Sequence, residues 1–270
     1  MLTDITIGQF FPGNSLLHRM DPRVKLVLTL AYIILVFVPK NWAGLGLAVL
    51  FLLVSVLCSR LPARLILKSL KPILPIVLLT SLINVFYIPG DLLWEWWILR
   101  ITKQGVSTAI FIAVRLLSLI AGSSLLTYTT SPTTLTDALE RLLRPLNYLK
   151  FNVHELAMMM TIALRFIPTL IEETDQIMSA QKARGADLES GGMMQRVKAL
   201  IPILVPLFIS SFRRAVDLAT AMECRCYHGG EGRTRMKQLH MQWRDWLCIT
   251  VTTVVFAGVI LLNRFLPSVL

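Results

Sequence analysis

Two arginines carry side chains and surroundings suited to gripping a partner. Arg184 lies in Gln181-Lys182-Ala183-Arg184-Gly185-Ala186-Asp187, and Arg225 in Ala221-Met222-Glu223-Cys224-Arg225-Cys226-Tyr227. When one stretch is laid on the other, Ile177, Ala180, Ala183 and Arg184 fall on Leu218, Ala221, Cys224 and Arg225. Ala183 and Gly185 flank the first arginine, Cys224 and Cys226 the second. Small flanks let another backbone come close, and a guanidinium offers a rigid fork of five donors that matches a carboxylate. An Arg–carboxylate contact desolvated at an interface costs about 2–5 kcal/mol when one side is truncated. The plainer reading is a solvated cation near a helix C-terminus, favoured there by roughly 0.3–1 kcal/mol. One such arginine would mean no more than that. The same design twice favours docking onto a soluble partner.

Other chemistry is sparse. Cys224, Cys226 and His228 form a C-x-C-x-H cluster, but a metal site needs about four ligands and only His240 is near. No metal is expected. Cys58 and Cys248 fall in apolar stretches, where a thiol behaves as a small hydrophobe, and no disulfide is expected if Cys224 and Cys226 are cytosolic. The sequence contains no G-x-x-x-x-G-K-[ST] phosphate loop, no H-E-x-x-H and no G-x-S-x-G. None of the four histidines falls with a nucleophile and an acid in a credible triad. The chain is expected to catalyse nothing and to bind no cofactor, so energy for active transport would come from a partner.

The elements that must position the arginines are mostly membrane helices. The chain has 270 residues, is 55% hydrophobic and has a mean hydropathy of +0.65, above the roughly 45–50% apolar share of soluble domains. Its net charge of +11 reflects Lys and Arg in cytoplasmic loops, and no nucleic-acid motif accompanies it. Met1–Asp21 lacks the apolar core of a signal peptide. Asp21 and Pro22 mark a helix start, as N-cap and first helical residue. Spans are predicted at Val24–Val38, Trp42–Cys58, Pro72–Ile88, Gly105–Tyr128 and Trp243–Leu266. Ser59–Lys71, with Arg60, Arg64, Lys68 and Lys71, reads as a cytoplasmic loop. Pro89–Gln104, with Trp94, Trp96 and Trp97, reads as a loop at the outer face. Arg115, in the middle of the fourth span, must face protein or water. Read as structural, it would pair with Asn84 or a backbone carbonyl; the alternative is a functional role.

Residues 131–240 read as a cytoplasmic insert. A helix opens at Ser131-Pro132-Thr133-Thr134 and ends or kinks at Pro145. His154–Ile171 is apolar but short, with Met158, Met159 and Met160 expected mainly as core filler. Pro168 is read as opening a new charged helix, Thr169–Ser190, stopped by Gly191-Gly192. Ala199–Phe212, broken by Pro202 and Pro206, leads to a second charged helix, Arg213–Tyr227, stopped by Gly229-Gly230. Residues 231–240 read as basic loop. If His154–Ile171 and Ala199–Phe212 both crossed the membrane, Lys182, Arg184, Arg196 and Lys198 would lie outside, against the charge rule. The expected architecture is an all-α multi-pass membrane protein. About five transmembrane helices carry a cytoplasmic module of long coupling helices, divided as residues 1–130, 131–240 and 241–270.

This arrangement resembles the transmembrane T component of energy-coupling factor (ECF) transporters, over essentially the whole chain. The resemblance rests on His18-Arg19-Met20-Asp21-Pro22-Arg23-Val24-Lys25, on Leu164-Arg165-Phe166-Ile167-Pro168 and on Gln181-Lys182-Ala183-Arg184-Gly185. The N-terminal lead-in is similar to that of the type shared among substrates. The resemblance implies an ATP-driven ABC-type importer in the cell membrane, with N-terminus and coupling module cytoplasmic. Two cytosolic ATPase subunits would use ATP, and one or more membrane-embedded S components would bind a vitamin or micronutrient. It implies that Arg184, with Ala183 and Gly185, docks in one ATPase, and Arg225, with Cys224 and Cys226, in the other. It also implies that the Met-rich stretch and Ala199–Phe212 contact the S component. Family members often carry Ala-Arg-Gly at the second site, where this chain has Cys-Arg-Cys, which leaves close backbone approach at Cys226 open. The competing readings are a conventional permease with its own substrate path, and a membrane-embedded enzyme, for which the residues offer no constellation.

The topology makes a prediction. A Lys182→Cys substitution, in a chain lacking its four native cysteines, should be protected from an impermeant thiol reagent added outside intact cells. Ready labelling would contradict a cytoplasmic insert.

Overall fold

The computed structural model describes residues 10–89, 91–96, 99–149, 152–186, 192–229 and 239–267. Two compact units divide the chain: Gly8–Ala138 with Gln238–Leu270, and Leu139–Lys237 with Met1–Ile7. The first holds α1 (Leu16–Arg19), α2 (Pro22–Phe37), α3 (Trp42–Ser59), α4 (Ala63–Leu70), α5 (Leu74–Tyr87), a hairpin of β1 (Leu92–Trp96) and β2 (Leu99–Thr102), α6 (Lys103–Thr129) and α10 (Trp243–Phe265). α7 (Pro132–Leu143) leads from one unit to the other. The second holds α8 (Val153–Ala183) and α9 (Met193–Glu223).

Among the described residues, six helical segments are long and apolar enough to cross a membrane: Trp42–Ser59, Ala63–Tyr87, Lys103–Thr129, Val153–Ala183, Lys198–Glu223 and Trp243–Phe265. α2 adds 16 residues, about 24 Å of helix, and is tied to α10 at both of its ends. The protein is a multi-pass membrane protein, all-α apart from the one small hairpin. The five expected spans all lie in the first unit. α8 and α9, expected outside the membrane, also meet the requirements of length and composition.

In the first unit α2, α3, α6 and α10 pack around Tyr32, Leu35, Val36, Ala48, Leu52, Leu125 and Val259. Backbone and polar groups withdrawn from water must find partners within the protein, and this bundle ties them off at both ends. At one end the Asp21 carboxylate caps α2 by accepting from the Arg23 N–H at 2.9 Å, with Pro22 at the first helical position. The Asp21 N–H donates to Asp245 at 3.1 Å, and the Gln242 N–H donates to the other Asp245 oxygen at 2.8 Å. Lys25, 6% exposed, donates to the Thr129 carbonyl at 2.9 Å. At the other end Asn263 accepts from the Lys40 N–H at 3.0 Å and donates to the Val38 carbonyl at 2.7 Å. Asn41 donates to the Leu262 carbonyl at 2.8 Å.

Arg115 joins that second clasp. It donates to the Pro39 carbonyl at 2.6 Å and stacks on Phe111 at 4.8 Å. Its partner is therefore the backbone carbonyl; Asn84 instead donates to Thr80 on its own helix. Close packing also depends on two glycines. A Cβ at Gly122 would lie 2.3 Å from the Tyr32 ring, and one at Gly105 would lie 2.9 Å from the Val85 carbonyl oxygen.

Several expectations are corrected. Part of Ser59–Lys71 is helical, as α4, because its cations recur at near-helical spacing and leave an apolar strip with Ile66 buried. Residues of Pro89–Gln104 form an antiparallel hairpin with Glu95 paired to Arg100 and Trp96 to Leu99. Pro168 does not start a helix but lies inside α8, and Pro202 and Pro206 lie inside α9. The two apolar stretches and two charged helices of the insert are therefore two continuous helices. α8 ends at Ala183, short of the expected Ser190, and α9 ends at Glu223. Residues 187–191 and 230–238, including Asp187, Glu189, Gly191, Gly230 and most of the expected basic loop, lie outside the described residues. Pro145 does end α7, which gives way to a 3-10 turn over Arg144–Leu149.

Asp245 is 1% exposed and holds two backbone N–H groups. Its replacement by alanine takes the acceptor from the buried Asp21 N–H, at about 1–3 kcal/mol, and from the more exposed Gln242 N–H at less. Asp245→Ala should lower the thermal midpoint of the purified protein more than Asp245→Asn, which keeps one acceptor. Equal melting of wild type and Asp245→Ala would refute this role.

Candidate functional site

Each candidate arginine closes a long helix, and the two helices pack against each other. α8 carries Glu173 inward; its carboxylate accepts from the Ser210 hydroxyl of α9 and from Arg214 of α9 at 2.9 Å. Arg214 also lies over the Phe166 ring at 5.9 Å. Further along, the Gln181 side chain donates to the Pro202 carbonyl at 3.3 Å. Ascending positions on α8 thus meet descending positions on α9, so the pair is antiparallel. Ile203, 4% exposed, belongs to its small core. At the start of α8, His154 meets Glu140 of α7 at 3.0 Å.

The prolines of α9 explain the Gln181 contact. Proline has no N–H, so Pro206 leaves the carbonyl four residues earlier without its helical donor. That carbonyl belongs to Pro202, and the Gln181 amide supplies the missing bond. A residue of the first arginine motif therefore repairs the backbone of the opposite helix.

Both helix ends have the same backbone form. The Ala186 N–H donates to the Gln181 carbonyl at 3.0 Å and the Gly185 N–H to Lys182 at 3.0 Å. The Tyr227 N–H donates to the Met222 carbonyl at 3.0 Å and the Cys226 N–H to Glu223 at 2.8 Å. These are the paired six-to-one and five-to-two bonds of a Schellman motif. Each requires a left-handed residue directly after the arginine: Gly185 at φ +84° and Cys226 at φ +57°. Cys226 thus reproduces the glycine geometry, although a Cβ makes that conformation about 1–2 kcal/mol less favourable. The backbone at Cys226 follows the same course as at Gly185, with a thiol side chain added where the first site has none.

All six candidate residues, Ala183, Arg184, Gly185, Cys224, Arg225 and Cys226, are exposed. Neither guanidinium has an ion pair or side-chain hydrogen bond to another described residue. Cys224 and Cys226 are free thiols. Arg184 follows Glu173 by the same eleven residues that separate Arg225 from Arg214. With Glu173 and Arg214 in contact and the helices antiparallel, the arginines point away from each other along the pair. At 1.5 Å per residue they stand roughly 30 Å apart. The site is two matched, separated heads rather than one cluster.

Between the heads α9 exposes Leu200, Ile201, Leu204, Val205, Phe208 and Phe212. Met159 on α8 is 61% exposed, and Met160 is exposed as well. They do not fill a core in this chain, contrary to expectation. Glu173, Ser210, Arg214 and Gln181 were not singled out from sequence. The signal available was a carboxylate cluster, Glu172, Glu173 and Asp175, with basic Arg213 and Arg214 on the later helix, and a Pro-x-x-x-Pro spacing that frees a carbonyl.

The model of the CbiQ family, described as "Cobalt transport protein", matches residues 13–236. The energy-coupling factor transporter transmembrane protein EcfT of Ruminiclostridium cellulolyticum is 55% identical over 97% of this chain and 98% of its own length. The proteins of the same description from Clostridium kluyveri and Acidaminococcus fermentans are 52% and 50% identical, over 98% and 99% of this chain and 98% and 100% of their own lengths.

Strain at the second head is directly testable. Cys226→Gly should raise stability by up to about 1 kcal/mol, the relief of the left-handed penalty less the entropic cost of glycine, read from chemical or thermal unfolding, while Gly185→Val should lower it. A destabilised Cys226→Gly would mean the left-handed turn at the second site is wrong.

Proposed function

The chain belongs to the CbiQ family as an EcfT-type energy-coupling factor transporter transmembrane protein, and on that premise we propose that it couples two cytosolic ATPases to a membrane-embedded substrate-binding S component. The observation that carries this reading is the pair of matched helix ends: two exposed arginines in the same backbone motif, without a side-chain partner among the described residues, at opposite ends of one antiparallel pair. A dimeric motor needs two equivalent attachment points held apart by a stiff strut, and α8 and α9 have that form. Arg184 would enter a groove of one ATPase and Arg225 a groove of the other, each pairing with acidic groups. Gly185 and Cys226 turn the chain away and leave the guanidinium leading. The chain itself is a non-catalytic subunit, and ATP is used by the partners.

The apolar face of α9 and the exposed methionines of α8 supply the contact to the S component. When ATP closes the ATPases, the two heads move with them. The α8–α9 pair shifts as a unit through its Glu173 junction, and its apolar face reorients the S component. Substrate choice, for a vitamin or another micronutrient, then belongs to the S component. By the positive-inside bias, Arg19, Arg23, Arg60, Arg64 and Arg244 of the first unit and the arginines at the heads support a reading with the N-terminus and the coupling pair on the cytoplasmic side of the cell membrane. A permease with its own pathway is less favoured. The two polar groups that could have lined such a path, Arg115 and Asn84, are both bonded to backbone carbonyls.

Tagged chain carrying both Arg184→Glu and Arg225→Glu should fail to retain ATPase subunits. Each reversal should weaken the complex by at least roughly 30-fold, from a loss of about 2 kcal/mol or more. The S component should still co-purify, since the α9 face is untouched. Full ATPase retention by the double variant would sink the docking role.

A further inference from the structure

We infer that the first unit holds a built-in site for an anionic phospholipid at the membrane face that carries Asp21 and Asp245. Two adjoining cavities make it. One, of about 690 Å³, is lined by Arg19, Arg60 and Arg244 together with Trp243, Asn14 and Ser15. No carboxylate lines it, and none of the three guanidiniums has an ion-pair or side-chain hydrogen-bond partner among the described residues. The second, of about 300 Å³, is lined mainly by apolar groups of α2, α3, α6 and α10, among them Leu28, Phe51, Leu125, Leu126 and Val251. Leu16 and Cys58 line both cavities, so the basic one continues into the apolar one.

The three arginines come from separate elements brought to one place. Arg19 ends α1, Arg244 lies in the first turn of α10, and Arg60 caps α3 in a left-handed conformation at φ 52°. Three like charges held around one space repel unless an anion sits among them, and Arg recognises phosphate through paired N–H donors. Trp243, 71% exposed, is the side chain expected at headgroup depth. A soluble phosphate would account for the basic cavity alone. The greasy extension leading from it fits an acyl chain, and the first unit is surrounded by such chains. A phosphodiester at Arg19, Arg60 and Arg244, with one tail entering past Leu16 and Cys58, satisfies both cavities at once. The bound lipid would fill the bundle between α2, α3 and α10 just behind the Asp21–Asp245 clasp.

Native mass spectrometry of the full-length, delipidated chain tests this, with phosphatidylglycerol, phosphatidylcholine and inorganic phosphate as probes. The first phosphatidylglycerol should bind more tightly than phosphatidylcholine, and phosphate should not displace it. Arg19→Gln, at an exposed position on a four-residue helix, should weaken phosphatidylglycerol roughly fivefold, and the triple variant with Arg60→Gln and Arg244→Gln by about a hundredfold. Cys58→Phe, which narrows the passage without changing charge, should weaken both lipids. Three results would overturn the site: no preference for the anionic lipid, unchanged binding by both Arg19→Gln and the triple variant, or displacement by equimolar phosphate, which would mark a soluble-anion site instead.

Discussion

Glu173 accepts from Ser210 and Arg214 where two 31-residue helices cross-link, in the C-terminal half of each. A carboxylate sharing two donors from one opposing helix fixes both the direction and the register of that helix. Everything at the candidate site inherits that register. With eleven residues on either side of the junction, the arginine-bearing ends are carried equally far from it and in opposite directions. Sliding one helix past the other would take both donors from the part-buried Glu173 carboxylate at once, so the junction resists sliding. A strut that transmits force needs this property more than it needs a large core, and the core between α8 and α9 is small.

The first unit is held differently. Its helices present apolar side chains to lipid on most faces, and hydrophobic burial does little to choose one arrangement over another in that solvent. Selectivity comes from polar groups at the two ends. Asp245 gathers the starts of α2 and α10, and Lys25 adds the end of α6. Asn263, Asn41 and Arg115 gather the opposite ends around the Val38–Asn41 connection. Small residues such as Gly122 then let the helices approach once the ends are matched. The result is a frame pinned at both membrane faces.

Much of this was legible in the sequence because the signals were local. Asp21-Pro22 announced a cap that is present as a hydrogen bond, and the apolar runs marked the spans to within a few residues. The matched arginine motifs were visible as a repeat. The insert was misread where a local rule met a nonlocal remedy. Pro168, Pro202 and Pro206 each read as a break, since each removes a helical bond. At Pro206 the orphaned carbonyl is satisfied from α8 by Gln181, a partner that no window around the proline contains. The hairpin over Leu92–Thr102 was hidden by its tryptophans, which speak equally well for a membrane-level loop. The left-handed turn at Cys226 was not legible because the residue type argues against it, and the bonds to the Met222 and Glu223 carbonyls impose it. Of the three arginines of the basic cavity, Arg60 reads as loop charge, Arg19 as part of the N-terminal signature and Arg244 as the edge of the last span, and nothing in a linear reading brings them together.

The central claim is that the two helix ends are separate heads for two ATPases. Photoreactive residues placed at the matched positions Ala183 and Cys224, in the assembled complex within native membranes, test it most directly. The account predicts that each position cross-links to a nucleotide-binding subunit, and that a chain carrying both joins two such subunits at once. Cross-links from either position to lipid or to membrane-embedded protein alone would contradict it.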